Sequence, residues 1–174
     1  MASVSKISPC LWFADQAEEA ARFYTGIFKN SRIGKISRYG EAGREVHQRP
    51  PGSVMLVEFE LEGQRFSALN GGPVFQFNEA ISLMIDCKDQ RELDYYWEKL
   101  SAGGDPNAQQ CGWLKDKYGL SWQVVPAALN DLMADPDPGK SGRTMQALLQ
   151  MKKIDIAALE RAHSGKAEKA MSGR

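Results

Sequence analysis

The sequence contains an internal repeat. Placing Ile7 on Ile81, 74 positions further on, also places Ser8 on Ser82, Asp15 on Asp89, Gln16 on Gln90 and Glu18 on Glu92 without a gap, and Phe23 falls on Trp97. Each copy opens on a short apolar stretch and passes through an Asp-x-x-Glu spacing that resembles a helix capping box. An amphipathic helical pattern follows. Strand, cap and aromatic helix positions coincide in the two copies, so the chain reads as two βαβββ modules that solve one packing problem twice.

In the first copy, Lys6–Phe13 reads as a strand and Asp15 as a helix N-cap. Ala17, Ala20, Ala21, Phe23, Tyr24, Ile27 and Phe28 supply the apolar helix face. Ser31–Tyr39 alternates Ile33 and Ile36 with polar residues, as a strand does. Gly40–Ser53 is too rich in Gly and Pro for regular structure. Val54–Glu62 and Gln64–Asn70 form a hairpin about Glu62-Gly63, with Val57, Phe59 and Leu61 alternating against Glu58 and Glu60, so one side of it is wet.

The second copy ends in Cys111–Pro126, CGWLKDKYGLSWQVVP. Gly112–Lys115 and Leu120–Val125 read as strands joined at Asp116-Lys117-Tyr118-Gly119, where Asp116 and Lys117 serve the turn, and Pro126 stops the second strand. Alternation puts Ser121 and Gln123 on one face and Leu120, Trp122 and Val124 on the other. Beyond it, Asp131–Gly142 reads as a surface loop and Thr144–Ala162 as a helix broken near Asp155, with Met145, Leu148, Leu149, Ile154, Ile156 and Leu159 on its apolar side. That face docks on its own domain or on a second subunit, and the pattern fits both equally. Ser164–Arg174 reads as frayed. The organisation is therefore a first module and linker, 1–78, a second module, 79–126, and a C-terminal loop and helix, 127–174, in one globular unit.

Composition excludes several partner classes. Lys plus Arg and Asp plus Glu each total 22, so no net field favours nucleic acid or an anionic membrane surface. No apolar run is long enough for a membrane span, and the opening MASVSKISP lacks a signal-peptide core, which points to the cytoplasm. Cys10, Cys87 and Cys111 match neither a zinc site nor a disulfide framework, so buried reduced thiols are expected, with Cys111 the candidate for reactivity.

The segments ISPCLWF…AEEAARFYTGIF, RFSALNGGPVFQFNEAIS and CGWLKDKYGLSWQVVP resemble the vicinal oxygen chelate superfamily of glyoxalases, bleomycin-resistance proteins and extradiol dioxygenases, and within it the PhnB-like branch. The resemblance spans roughly residues 5–162. It implies an α+β fold in which two βαβββ modules form a glyoxalase-like U-shaped mixed-sheet cup, here with a C-terminal helical extension. Ligands of the superfamily lie in the cup, and many members hold a divalent metal there on His and Glu from the first and last strands of each module. In this chain those positions fall on Ser8, Ser67, Ser82 and Gln123, with Asn70 the alternative to Ser67 if the register shifts. Neutral hydroxyls and an amide give a divalent cation no charge compensation, so neither metal nor other cofactor is expected.

Alternation places Ser8, Cys10, Trp12, Ser67, Leu69, Ser82, Met84, Ser121 and Gln123 on the inner face. An uncharged aromatic or quinone-like ligand suits that lining, with Trp12 and Trp113 able to stack on it. The expected ligand-binding residues are Ser8, Trp12, Ser67, Asn70, Ser82, Met84, Trp113 and Gln123. Ser8 and Ser82 read equally well as ordinary strand residues. Gln123 has either Ser82 or a substrate as its partner. Arg65 meets an anionic group or pairs with Glu58 or Glu60, and Tyr95 and Trp97 read as core. His47 reads as a solvated residue of a loop that can fold over the cup mouth.

Sequences of this branch are often labelled demethylubiquinone methyltransferases, yet the chain has no strand, glycine-rich turn and helix of the type that cradles S-adenosylmethionine. Two readings follow: a small-molecule binding protein with a metal-free cup, or an enzyme of lyase, isomerase or methyltransferase type that works without the metal and relies on His47 or Cys111. A homodimer is expected in either case.

Overall fold

The structure is a computed structural model that describes residues 6–166, so most of the stretch read as frayed lies outside the described residues. The chain divides into two compact units, Met1–Phe77 and Asn78–Arg174.

The first unit contains β1 (Cys10–Phe13), α1 (Ala17–Ile27), β2 (Arg32–Arg38), α2 (Arg44–His47), β3 (Val54–Leu61) and β4 (Gln64–Asn70). Its sheet has the order β1-β4-β3-β2, with β1 parallel to β4 and the other pairs antiparallel. Leu11, Ala68 and Val57 lie side by side across it, as do Phe59 and Phe66, and all are buried. Helix α1 covers that face with Ala17, Ala20, Ala21, Tyr24 and Ile27, and the Tyr24 and Phe59 rings stack at 6.3 Å. Each fully buried large apolar side chain contributes about 1.5–3 kcal/mol.

Asp15 does not cap α1. Gln16 occupies the N-cap position without a side-chain bond, and Asn70 Oδ1 accepts from the Ala17 N–H at 2.8 Å instead. Strand β1 begins at Cys10 rather than Lys6, the ladder with β4 running from the Cys10–Ser67 pair to Phe13–Asn70. The Glu62-Gly63 hairpin forms as read, both residues adopting the positive φ that a tight two-residue turn requires. The Gly- and Pro-rich loop holds one short helix, α2, between two left-handed residues, Gly43 and Gln48.

The second unit contains β5 (Leu83–Cys87), α3 (Gln90–Ser101), β6 (Trp113–Lys115), β7 (Ser121–Pro126), α4 (Leu129–Met133), α5 (Pro138–Leu149) and α6 (Ile156–Ser164). Its sheet is β5-β7-β6, parallel then antiparallel, the order of the first sheet without a counterpart of β2. Where that strand would run, the chain makes a single 3-10 turn, Pro106–Ala108, and an isolated bridge from Gln110 to Trp113. Gly104 passes so close to β6 that a Cβ on it would lie 1.9 Å from the Lys115 carbonyl oxygen.

The Asp-x-x-Glu reading holds in this copy. Asp89 Oδ1 accepts from Glu92 N–H, and Glu92 Oε2 accepts from Lys88 N–H, both at 2.8 Å. Leu93, Tyr96 and Leu100 are the buried residues of α3, whereas Tyr95 is exposed and Trp97 intermediate. The expected core aromatics are therefore one position off.

The C-terminal segment is more regular than its composition suggests. The stretch read as loop carries α4 and the first turn of α5, which Asp137 caps through Gly139 N–H ahead of Pro138. The break near Asp155 is real, and Asp155 caps α6 through Ala158 N–H. The segment docks on its own unit. Met151 and Lys152 carbonyls accept from Cys111 and Gly112 N–H, Gln90 of α3 bonds both Ile154 O and Ile156 N–H, and Ile154 and Leu159 are fully buried.

Candidate functional site

Strand register shows which side chains share each helix-free sheet face. In the first unit one row runs Cys10, Ser67, Glu58; the next runs Trp12, Leu69, Leu56; and on the other side Arg65, Glu60 and Arg32 are in line. Ser8, Ser67, Glu58, Glu60, Arg32, Arg65 and Gly34 line a cavity of about 70 Å³. This face is not neutral. It carries two carboxylates and two guanidiniums that alternation within single strands could not bring together. Arg32 Nη2 pairs with Glu60 Oε1 at 2.8 Å, so the partner available to Arg65 in register is engaged on its other side.

Trp12 anchors the apolar end of the face. Its indole N–H donates to Gly72 O at 2.8 Å, Phe75 meets its ring edge-on at 4.9 Å, and a Cβ on Gly71 would lie 2.1 Å from the ring. Phe75 is largely exposed. Cys10 lies between Ser8 and Trp12 and is exposed, contrary to the expectation of a buried thiol, although partial desolvation still raises its pKa. Asn70 is elsewhere. It is on the α1 face, with its amide bonded to Ala17 N–H and Val54 O.

In the second unit Leu114, Trp122 and Val124 are buried together on one face, while Trp113, Gln123 and Met84 are in line on the other, where Met84 is half exposed. Gln123 Nε2 donates to Ser82 Oγ at 2.9 Å, the neighbour the sequence offered it. Ser121 and Lys115 form the adjacent row. Lys115 pairs with Glu79 and lowers its carboxyl pKa, and the Ser121 hydroxyl is buried without a hydrogen-bond partner among the described residues.

The hairpin that presents Trp113 and Gln123 is fixed from inside. Asp116, 2% exposed, accepts from Tyr118 N–H at 2.9 Å, Leu120 N–H at 3.1 Å and the Trp122 indole N–H at 2.9 Å. Gly119 follows with a positive φ, and its N–H bonds Asp116 O at 2.9 Å.

The two candidates for metal-free chemistry are held locally. His47 Nδ1 accepts from Arg49 N–H at 3.0 Å, its Nε2 faces Ala42 O at 3.3 Å, and its ring lies on Tyr39. Cys111 is partly buried in a left-handed conformation where the chain docks on Met151, with the Gln110 amide donating to its sulfur.

Among the described residues no group of three His, Cys, Asp or Glu side chains is arranged to hold a metal ion. The residues that the resemblance implied at metal-ligand positions, Ser8 and Ser67 in the first unit and Ser82 and Gln123 in the second, carry only hydroxyls and an amide. Neither pair by itself fits a divalent cation, and in the second unit the amide is already bonded to the hydroxyl. No helix among the described residues is long and apolar enough to cross a membrane.

Paired strand–helix–strand modules, each with a mixed sheet bearing its helix on one face, define the glyoxalase-like fold of the vicinal oxygen chelate superfamily, and the chain is a PhnB-like member of it. It belongs to the 3-demethylubiquinone-9 3-methyltransferase family, whose model matches residues 5–125. A PhnB protein from Bacillus cereus that bears the same methyltransferase name is 37% identical, with 70% of this chain and 99% of that one aligned and a TM-score of 0.58. A protein from Pseudomonas aeruginosa, 17% identical over 70% of this chain and 96% of its own, shares the fold at a TM-score of 0.52. A Staphylococcus aureus protein is 29% identical over 71% of this chain and 96% of its own, at a TM-score of 0.32. No curated protein matches the chain.

Proposed function

We propose that the protein binds a small aromatic or quinone-like molecule on a helix-free sheet face, without a metal ion. The observation that carries this reading is the Gln123–Ser82 hydrogen bond, which engages the second module's amide and hydroxyl with each other where the resemblance implies ionised or imidazole donors. Within its own module, each of Trp12 and Trp113 gives flat apolar surface for a ring. Ser8 and Ser67 on the first module's face, and Ser82 and Met84 on the second's, are the remaining proposed contacts. Asn70 is left out because its amide is engaged at α1.

The methyltransferase activity in the family's name, or any other reaction without a metal, would fall to His47 or Cys111. The local bonding of both favours binding over catalysis. A cytoplasmic homodimer belongs to the same proposal, and a monomer mass in light scattering would remove the dimer from it.

Calorimetric titration of zinc, nickel, manganese, iron and magnesium into chelator-stripped protein, followed by a thermal-shift screen of quinones, tests the reading. Expected are no metal binding and a raised melting temperature with an aromatic ligand, lost in Gln123→Ala or Trp12→Ala. Micromolar metal binding, or indifference to every aromatic compound, overturns it.

A further inference from the structure

We infer that the helix-free face of the first module is built for an aromatic ligand with a zwitterionic headgroup, an aromatic α-amino acid being the simplest example. The inference rests on the proposed binding function and specifies its ligand. Three observations carry it.

The face has two ends of different character. Trp12, Leu69 and Leu56 lie in one register row, with Phe75 against the Trp12 ring, whereas Arg65, Glu60 and Arg32 lie in another on the far side of Ser67 and Glu58. A ligand spanning it presents a ring to the first end and polar groups to the second.

The polar end contains two opposite charges without partners among the described residues. Glu60 is engaged by Arg32. Among the described residues the side chains of Arg65 and Glu58 make neither ion pair nor hydrogen bond, although Arg65 is in register with Glu60 and Glu58 is one row away. Both are exposed, so water solvates them when no ligand is present. A guanidinium presents a fork that matches a carboxylate, and a carboxylate accepts from an ammonium, so together they complement a zwitterion and leave the site electrically balanced. A ligand carrying only one charge would satisfy one of them.

The lining of the cavity separates headgroup from body. A cavity of about 70 Å³ lies between Ser8, Ser67, Glu58 and Arg65, and its charged and hydroxyl groups suit an ammonium and a carboxylate. Gly34 keeps it open. It stands at the β2 bulge, where a Cβ would meet the Glu58 carbonyl oxygen at 3.1 Å. The apolar Trp12 side then takes the ring. Ser8 and Ser67 stand at the headgroup, each with a hydroxyl that can donate or accept.

The test uses four probes of one body or similar size: L-phenylalanine, phenylpropionate without the ammonium, phenethylamine without the carboxylate, and neutral menadione. The full-length protein is titrated with each, and the indole N–H resonance of Trp12 reports ring contact. Phenylalanine is expected to bind at least about tenfold more tightly than either singly charged analogue, equivalent to about 1.4 kcal/mol. R65Q should erase its advantage over phenethylamine, and E58Q its advantage over phenylpropionate. Both positions are exposed, so neither variant should alter the fold, and an unchanged melting temperature checks that. If menadione binds as well as phenylalanine and neither variant changes the order, the headgroup assignment is wrong while the binding function stands. If all four leave the Trp12 resonance unmoved, both fall. A diagonal Arg65–Glu58 ion pair in solution, seen as each variant weakening stability without changing probe selectivity, also overturns the assignment.

Discussion

Replacing Asp116 with alanine should damage the second unit far more than a surface carboxylate would. The side chain accepts from three donors, and two of them, the Leu120 N–H and the Trp122 indole N–H, are buried. A hydrogen bond to a charged acceptor contributes about 1.5–3 kcal/mol, and a buried donor left without a partner costs about 1–3 kcal/mol. The bonds share one turn, so they do not add fully, and the Tyr118 N–H can turn to water. The expected loss is about 3–5 kcal/mol, a large part of the 5–15 kcal/mol typical of a folded domain. In urea, with a slope near 2 kcal/mol per molar, the unfolding midpoint followed by tryptophan fluorescence should fall by roughly 2 M. Trp122→Phe removes the indole donor together with some buried ring volume, and the double-mutant cycle with Asp116→Ala, which separates the two, should give a coupling of about 1.5–3 kcal/mol. A loss under about 1 kcal/mol with no coupling would refute the account of the turn.

Two further outcomes follow from single contacts. Gly71→Ala puts a Cβ about where the Trp12 ring now lies, so the ring must leave its bond to Gly72 O; a shifted Trp12 indole resonance and weakened aromatic binding are expected, and an unmoved resonance would contradict the packing. Burial, helped by the nearby Glu92, Asp86 and Asp89 charges, pushes the Cys87 thiol from 9.0 up to about 12. Because the folded protein then holds this proton more tightly than the unfolded chain, stability is complete below about pH 9 and declines as pH rises from there toward 12. Denaturation midpoints across that range should fall more steeply for the native protein than for Cys87→Ala, and parallel slopes would show that the thiol is not the cause.

The sequence carried the fold through features local to the chain. The repeat between Ile7 and Ile81 marked two modules because each copy places its strand, helix start and aromatic residues alike, and a helix or hairpin is largely specified by neighbours within a few positions. The Glu62-Gly63 hairpin, the Asp116 turn, the Asp89 cap and the break before Asp155 belong to this class. The failures belong to another. Asp15 does not cap α1 because Asn70, distant in sequence, supplies an amide to the same N–H group. The second copy lacks the fourth strand because the chain there is short and turns early. No local pattern shows that Met151 and Lys152 carbonyls then bond Cys111 and Gly112.

The candidate site divides in the same way. Periodicity within a strand showed that Ser8, Cys10 and Trp12 share a face and that Glu58 and Glu60 share another, since a period of two requires it. It did not show that these are the same face. That depends on which residue of β4 stands opposite which residue of β3, and only the register Glu58–Ser67 and Glu60–Arg65 places both carboxylates beside the serines and turns a neutral lining into a charged one. The sequence by itself determined the two modules, their helices and the residue types at the positions the resemblance singled out, because these are properties of residue identity and short-range spacing. The tertiary structure alone decided the charge of the face, the absence of a partner for Arg65 and Glu58 among the described residues, and the docking of the C-terminal helices, because each rests on contacts between strands or helices far apart in the chain.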